Sequence, residues 1–263
     1  MKKLSFVLGL FFLFVGWNLF AHTAGDMLVG LELGVGYNKI GDMSGMSSYP
    51  IEYYQLTRGI ISKDEIAGSA TGMNYHGGVS FDYYFLSWLS ASSGLSYHGT
   101  INFIDYYLSN SSIGLFDIGA PYQQLFHRGY LKIPLAAHAN FSALYFGIGL
   151  AYNLQLFQRA EYGYEFKADN YTFYSAEEET LDYSSGSFLE FYVDFGIDFM
   201  HRKTKDPGEW SLGHRLFARY SPALTVSSPK DKNGSVIVKD LKSMDISLIY
   251  QFCGAFANKP IFK

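Results

Sequence analysis

Cysteine is almost missing from these 263 residues, proline occurs seven times, and charged side chains make up only 17% of the chain. With Cys253 alone, an internal disulfide framework and a multi-cysteine metal site are both excluded. A formal charge of −4 leaves no basic footprint for nucleic acid. Beyond residue 20 no run is long and apolar enough to cross a bilayer as a helix. A mean hydropathy of +0.02 likewise excludes a polytopic helical membrane protein. What fills the space left by charge is aromatic: 18% of the chain, beside 27 glycines. So much Tyr and Phe argues against disorder.

Lys2 and Lys3 precede an apolar stretch over 4–20, and the small residues Ala21, Thr23, Ala24 and Gly25 follow. A positive n-region, an apolar h-region and a small-residue cleavage zone predict a secretory signal over 1–21, cut between 21 and 25. The competing reading is an uncleaved anchor, for which 17 apolar-rich residues are marginal. No cysteine stands near residue 21, so a lipidated N-terminus is not expected. Losing the two lysines takes the formal charge from −4 to −6.

Past the signal the hydrophobic period is two. Over 73–85 the odd positions read Met73, Tyr75, Gly77, Val79, Phe81, Tyr83, Phe85, against Asn74, His76, Gly78, Ser80, Asp82 and Tyr84. Successive strand residues point to opposite faces, so this is a strand with one greasy and one polar side. The same alternation recurs over 27–38, 89–103, 125–141, 144–156, 187–199, 210–221 and 241–252. That predicts eight strands, each long enough for a tilted crossing of a bilayer, which takes ~9–11 residues. The connections alternate long and short, as in outer-membrane barrels with short periplasmic turns and long outer loops.

Alternation alone does not say which face is inside. A soluble barrel would turn inward faces such as Leu189, Phe191, Val193, Phe195, Ile197 and Phe199, and eight of these overfill an eight-stranded lumen. Aromatics also gather at the expected periplasmic boundary: Phe85, Trp88, Phe141, Phe199, Trp210 and Phe252, which reads as a girdle. The prediction is therefore an all-β, eight-stranded antiparallel up-and-down transmembrane β-barrel over 26–252, with a short tail over 253–263. Its partner is outer-membrane lipid, and its place the outer membrane of a Gram-negative-type bacterium.

At Tyr130-Leu131-Lys132-Ile133-Pro134-Leu135, then Asn140-Phe141 and Tyr145-Phe146-Gly147-Ile148-Gly149, the chain resembles the PorT-like outer-membrane barrel family. It is similar, more loosely, to small OmpA/OmpX-type barrels. The motif covers about one hairpin, and Lys132 departs from the acid that family members often carry there. The resemblance implies the barrel fold, no catalytic motif, and for some relatives a link to secretion and gliding machinery. A terminal aromatic read by the assembly machinery would be Phe252 or Phe262.

By parity the lumen holds Glu32, Asp82, Arg128, Lys132, Glu190, Asp194, Asp198, Arg215, Arg219 and Asp245. If Phe199 pairs with Trp210, Asp194 falls opposite Arg215 and Glu190 opposite Arg219, within reach of bidentate contact. Such a set either braces the lumen by satisfying its own charges or gates a narrow path; a barrel this small favours the brace. A hydrolase is not supported. His76 and Ser80 lie about 13 Å apart along one strand at ~3.3 Å per residue, and the outward His127, His214 and Ser93 match no height. No two of the seven histidines stand at ligand spacing on one element, although His76 and His98 can meet across strands. No catalytic, metal or cofactor site is expected. The 157–186 loop is acidic (Asp169, Glu177, Glu178, Glu179, Asp182) and aromatic (Tyr162, Tyr164, Phe166, Tyr171, Phe173, Tyr174). Its acids either bind divalent cations that bridge lipopolysaccharide, or bind a basic partner, or are simply solvated. Its aromatics are expected to continue the strands as a paired hairpin and to offer a surface to an envelope protein. The function expected is non-enzymatic: a structural, adhesive or secretion-accessory component. The alternatives are a narrow gated pore and a lipid-modifying envelope enzyme.

Overall fold

A computed structural model describes residues 22–41, 69–108, 120–141, 143–168, 171–175, 180–182, 187–199, 210–227 and 241–256. The signal segment, the acidic run Glu177–Glu179 and the chain beyond Phe256 lie outside them. Ten strands are present among the described residues: β1 (Met27–Gly41), β2 (Ser69–Leu86), β3 (Leu89–Leu108), β4 (Ala120–Phe141), β5 (Leu144–Ala168), β6 (Tyr171–Ser175), β7 (Thr180–Asp182), β8 (Phe188–Asp198), β9 (Trp210–Ser227) and β10 (Leu241–Phe256).

Eight of them close a ring. The ladder runs β4-β3-β2-β1-β10-β9-β8-β5, and the β4–β5 pairing completes it. Every neighbour in the ring is antiparallel, so this is an up-and-down barrel without free edges. The faces sort as alternation requires. On β1, Leu31, Leu33 and Val35 stand outward, Leu33 at 68% exposure, while Glu32 between them is 8% exposed. The outer surface is a continuous apolar coat and the interior is polar. A water-soluble barrel has the opposite arrangement, so the barrel is a transmembrane one.

Local chemistry bends the pattern at two places. Pro134 sits mid-strand in β4, where it has no N–H to donate. The β3–β4 ladder skips from the Ser93/Leu135 pair to Ser96/Lys132, and the Ser93 hydroxyl donates to the Pro134 carbonyl at 3.0 Å. On β5 a bulge falls between the pairs Gly129/Phe157 and Tyr130/Gln155. Its extra residue shifts parity, so that Leu156 and Phe157 both face outward and Gln158 is buried.

The strands outrun the sequence pattern, mostly at the long-loop end. β3, β4 and β5 have 20, 22 and 25 residues, well beyond the ~9–11 that span a bilayer. They rise as a wall past the membrane. At its top β5 pairs with β6 from Tyr164/Ser175 to Ala168/Tyr171, and with β7 through Arg159/Asp182. The hairpin expected within 157–186 is present. At the opposite end β10 continues to Phe256, four residues past the expected limit at Phe252, and Phe256 pairs with Trp210.

Candidate functional site: the charged lumen

All ten lumen candidates lie inside the barrel, and nine of them are buried; Asp245 is partly exposed. They form linked clusters, taken here from the short-turn end upward.

Arg215 anchors the lowest cluster and is fully buried. Its Nε donates to Asp198 Oδ2 at 2.8 Å, Nη1 donates to Asp82 and, at 3.2 Å, to Gln251 Oε1, and Nη2 donates to the Tyr84 hydroxyl at 2.6 Å. The guanidinium lies 4.8 Å from the Tyr145 ring centroid. Above it Arg219 makes a fork contact to Asp194, Nε to Oδ1 at 2.8 Å and Nη2 to Oδ2 at 2.9 Å, and stacks 4.1 Å over Tyr192. The planar guanidinium suits both contacts, since its fork matches a carboxylate and its face an aromatic ring.

These pairings correct the register expected from a Phe199/Trp210 pair. In the ladder Asp198 opposes Arg215 and Asp194 opposes Arg219, four residues away from the expected alignment. Glu190 is thereby released from Arg219. It binds Lys132 Nζ at 2.9 Å, Asn153 Nδ2 at 3.0 Å and the Ser221 hydroxyl.

Nearest the long-loop mouth, Arg128 donates to neutral oxygens: Thr100 Oγ1 at 3.1 Å, Asn38 Oδ1 at 3.2 Å and Ser243 Oγ at 3.0 Å. Asp245 is reached through amides, accepting from Asn38 at 2.7 Å and Asn74 at 3.0 Å. Glu32 binds His76 at 3.0 Å and accepts from Gln251 at 3.3 Å. Four histidines thus face acids: His22 and Asp198 (2.9 Å), His76 and Glu32 (3.0 Å), His98 and Asp245 (3.7 Å), His138 and Asp194 (3.6 Å).

His76 and His98 do meet as cross-strand partners, with ring centroids 6.5 Å apart, but each turns to its own acid. Among the described residues no group of three or more His, Cys, Asp or Glu is disposed to hold a metal ion. Of the hydrolase candidates, Ser80 accepts from Gln251, His76 is on Glu32, and Asp82 is on Arg215. Outside, His214 Nδ1 lies 2.5 Å from the Tyr250 hydroxyl, with no serine in the pair.

Alternation alone did not single out several contributors. The amides Asn38 and Gln251 and the ring of Tyr145 share the charged residues' parity, which was the signal available. His22 had none, since it precedes the first alternating run. The six girdle candidates Phe85, Trp88, Phe141, Phe199, Trp210 and Phe252 are all exposed on the outer face. Trp88 stacks on Phe141 at 6.2 Å, and Trp210 meets Phe256 at 5.3 Å. Phe252 lies further along its strand, 5.3 Å from His214.

No family model matches the chain, PorT-like or other, and no curated protein matches it in sequence. Solved structures similar to it include the Neisserial surface protein A, at 12% identity and a TM-score of 0.35, over 85% of this chain and 95% of that one. The outer membrane protein OprG of Pseudomonas aeruginosa is 11% identical with a TM-score of 0.36, over 89% and 96%. The outer membrane protease OmpT of Escherichia coli is 9% identical with a TM-score of 0.35, over 92% and 99%. Likeness at this level is silent on activity.

Proposed function

We propose that this is an exported outer-membrane barrel of a Gram-negative-type bacterium, non-enzymatic, whose lumen is an internal brace and whose working surface is the tall wall at the long-loop end. It serves the envelope as a structural or accessory component. The observation that carries this reading is the Arg215 cluster. One buried guanidinium ties β9 to β8, β2 and β10 across the bore, and a passage there would have to break four hydrogen bonds to open. The wall of β3, β4 and β5, capped by the β5–β6 hairpin, then offers an envelope protein a docking surface. The PorT-like resemblance supports an accessory role in secretion. The test is crosslinking in intact outer membranes with a tagged copy. A partner whose crosslink is lost when 169–179 is replaced by a Gly/Ser linker supports the reading; no specific partner removes the accessory role.

A narrow water-lined path is the second reading, favoured by one observation. Along the side formed by β3, β4, β5, β8 and β9, Ser96 Oγ, both amide atoms of Asn140, Asn153 Oδ1, the Tyr192 hydroxyl and Arg219 Nη1 are buried without a protein partner. Buried polar atoms of this kind are normally satisfied by water. Single-channel conductance that rises on Arg215→Ala decides for the pore; silent bilayers for both proteins decide for the brace.

A further inference from the structure

Residues 22–26 fold back against the short-turn end of the barrel before β1 begins. His22 is 2% exposed; its ring stacks on Tyr84 at a centroid distance of 4.0 Å, and Nε2 lies 2.9 Å from Asp198 Oδ2. Asp198 also accepts from Arg215, so His22 joins the lowest lumen cluster directly. Next, Asp26 N donates to the Thr23 carbonyl at 3.1 Å, closing a tight turn. The buried Asp26 carboxylate accepts from Thr23 N at 2.8 Å and from Thr23 Oγ1 at 2.9 Å. Gly25 has φ 95°, which L side chains rarely adopt but the third position of a type II turn requires. The turn is sewn to β2: Gly25 N donates to the Tyr84 carbonyl at 2.7 Å, and Tyr84 N donates to the Asp26 carbonyl at 2.9 Å.

We propose that residues 22–26 are a latch closing the periplasmic mouth, and that signal peptidase cuts after Ala21, making His22 the mature N-terminus. The proposal rests on reading 1–21 as a secretory signal. A protease that needs a small residue before the cut has Ala21, Ala24 and Gly25 available, with Leu19, His22 and Thr23 at the third position before the respective cuts. The A-x-A-like pattern is met best after Gly25, and it is the contacts of the folded chain that favour Ala21. Cutting after Ala24 or Gly25 discards His22 and Thr23. That strips Asp198 of one partner and removes from Asp26 both donors contributed by Thr23. Charge favours the same bond. Asp26, Asp82 and Asp198 are all buried at this end, where Arg215 is the cation on the latter two. Hydrolysis of the Ala21–His22 bond adds one water and leaves a carboxylate on Ala21 and an ammonium on His22. The new positive charge is created one side-chain length from the buried Asp198 carboxylate.

Two measurements on protein purified from outer membranes test this. Intact mass and N-terminal sequencing are expected to show His22 first. A chain beginning at Gly25 or Asp26 overturns the proposal and leaves the signal reading standing, whereas one beginning at Met1 overturns the signal reading itself. Hydrogen exchange then reads the latch: the Gly25 and Asp26 amides should exchange on the order of 100-fold slower than in a free peptide. His22→Ala should erase most of that protection, and Gly25→Ala, which strains the turn without touching the cleavage site, should do the same. Free-peptide exchange in the wild-type barrel, or full protection in both variants, overturns the latch.

Discussion

Replacing Arg215 by methionine should cost more than any other single change in the lumen. The side chain is fully buried and all three of its nitrogens donate: Nε to Asp198, Nη1 to Asp82 and Gln251, Nη2 to Tyr84. Methionine keeps much of the volume and none of the charge. Asp82 and Asp198 then remain buried, each without the guanidinium that Arg215 supplied. Removing one partner of a buried ion pair costs about 3–5 kcal/mol, most of it the penalty for the charge left behind. The upper part of that range applies here, because two carboxylates share the one cation. Equilibrium urea unfolding in lipid vesicles measures the loss. Since the cluster is away from bulk water, the loss should barely change between low and high salt, whereas an exposed pair would be screened. Adding Asp82→Asn and Asp198→Asn to Arg215→Met should restore at least half of it. A single-variant loss under about 1 kcal/mol, a strong salt dependence, or a triple variant no better than the single one would refute the brace.

Three further outcomes follow from other parts of the barrel. Leu33→Arg, at an outer position 68% exposed, should cost about 2–4 kcal/mol on folding into a bilayer if it lies near the midplane; a neutral result would point to water outside. Gly36→Ala should destabilise by about 1–3 kcal/mol through overpacking, seen as loss of the heat-resistant folded band on gels. The added carbon would fall 2.0 Å from the Ile246 carbonyl oxygen and 2.6 Å from Ser247 Cα, backbone atoms that cannot swing aside. If Trp88 and Trp210 belong to an interfacial girdle, they should be quenched more by lipids brominated near the headgroup than by lipids brominated at the chain ends; the reverse order would remove the girdle.

How much of this was legible depends on what enforces the pattern. Where lipid lies outside and ions inside, every second residue is constrained, and β1, β2 and β8 could be read almost residue by residue. Above the membrane that constraint lapses. β5 continues past Phe157 through Gln158, Arg159 and Glu161, a stretch without apolar alternation that still pairs with β4 up to Tyr164. The bulge beside Gln155 was equally hidden, because one extra residue changes parity without changing composition. His22 was hidden for a different reason: its partner Asp198 is 176 positions away, and no local period connects them.

The register of β8 against β9 shows where local reasoning stops. Asp194 and Asp198 are four residues apart, and so are Arg215 and Arg219. Sliding one strand by four therefore keeps every residue on its face and exchanges one set of ion pairs for another. The expected alignment makes two pairs, Asp194 with Arg215 and Glu190 with Arg219, and so does the observed one. Within the hairpin the two are equivalent in charge. The difference lies in the rest of the ring. In the expected alignment Asp198 falls opposite Ser211, and Lys132 on β4 loses its acid to Arg219. In the observed one Asp198 takes Arg215, which also collects Asp82 from β2, while Glu190 is released to Lys132. Each of the four lumen cations then has a carboxylate or a set of neutral acceptors. Charge selects this register only once the barrel closes, so the lumen network specifies strand alignment as well as filling the bore.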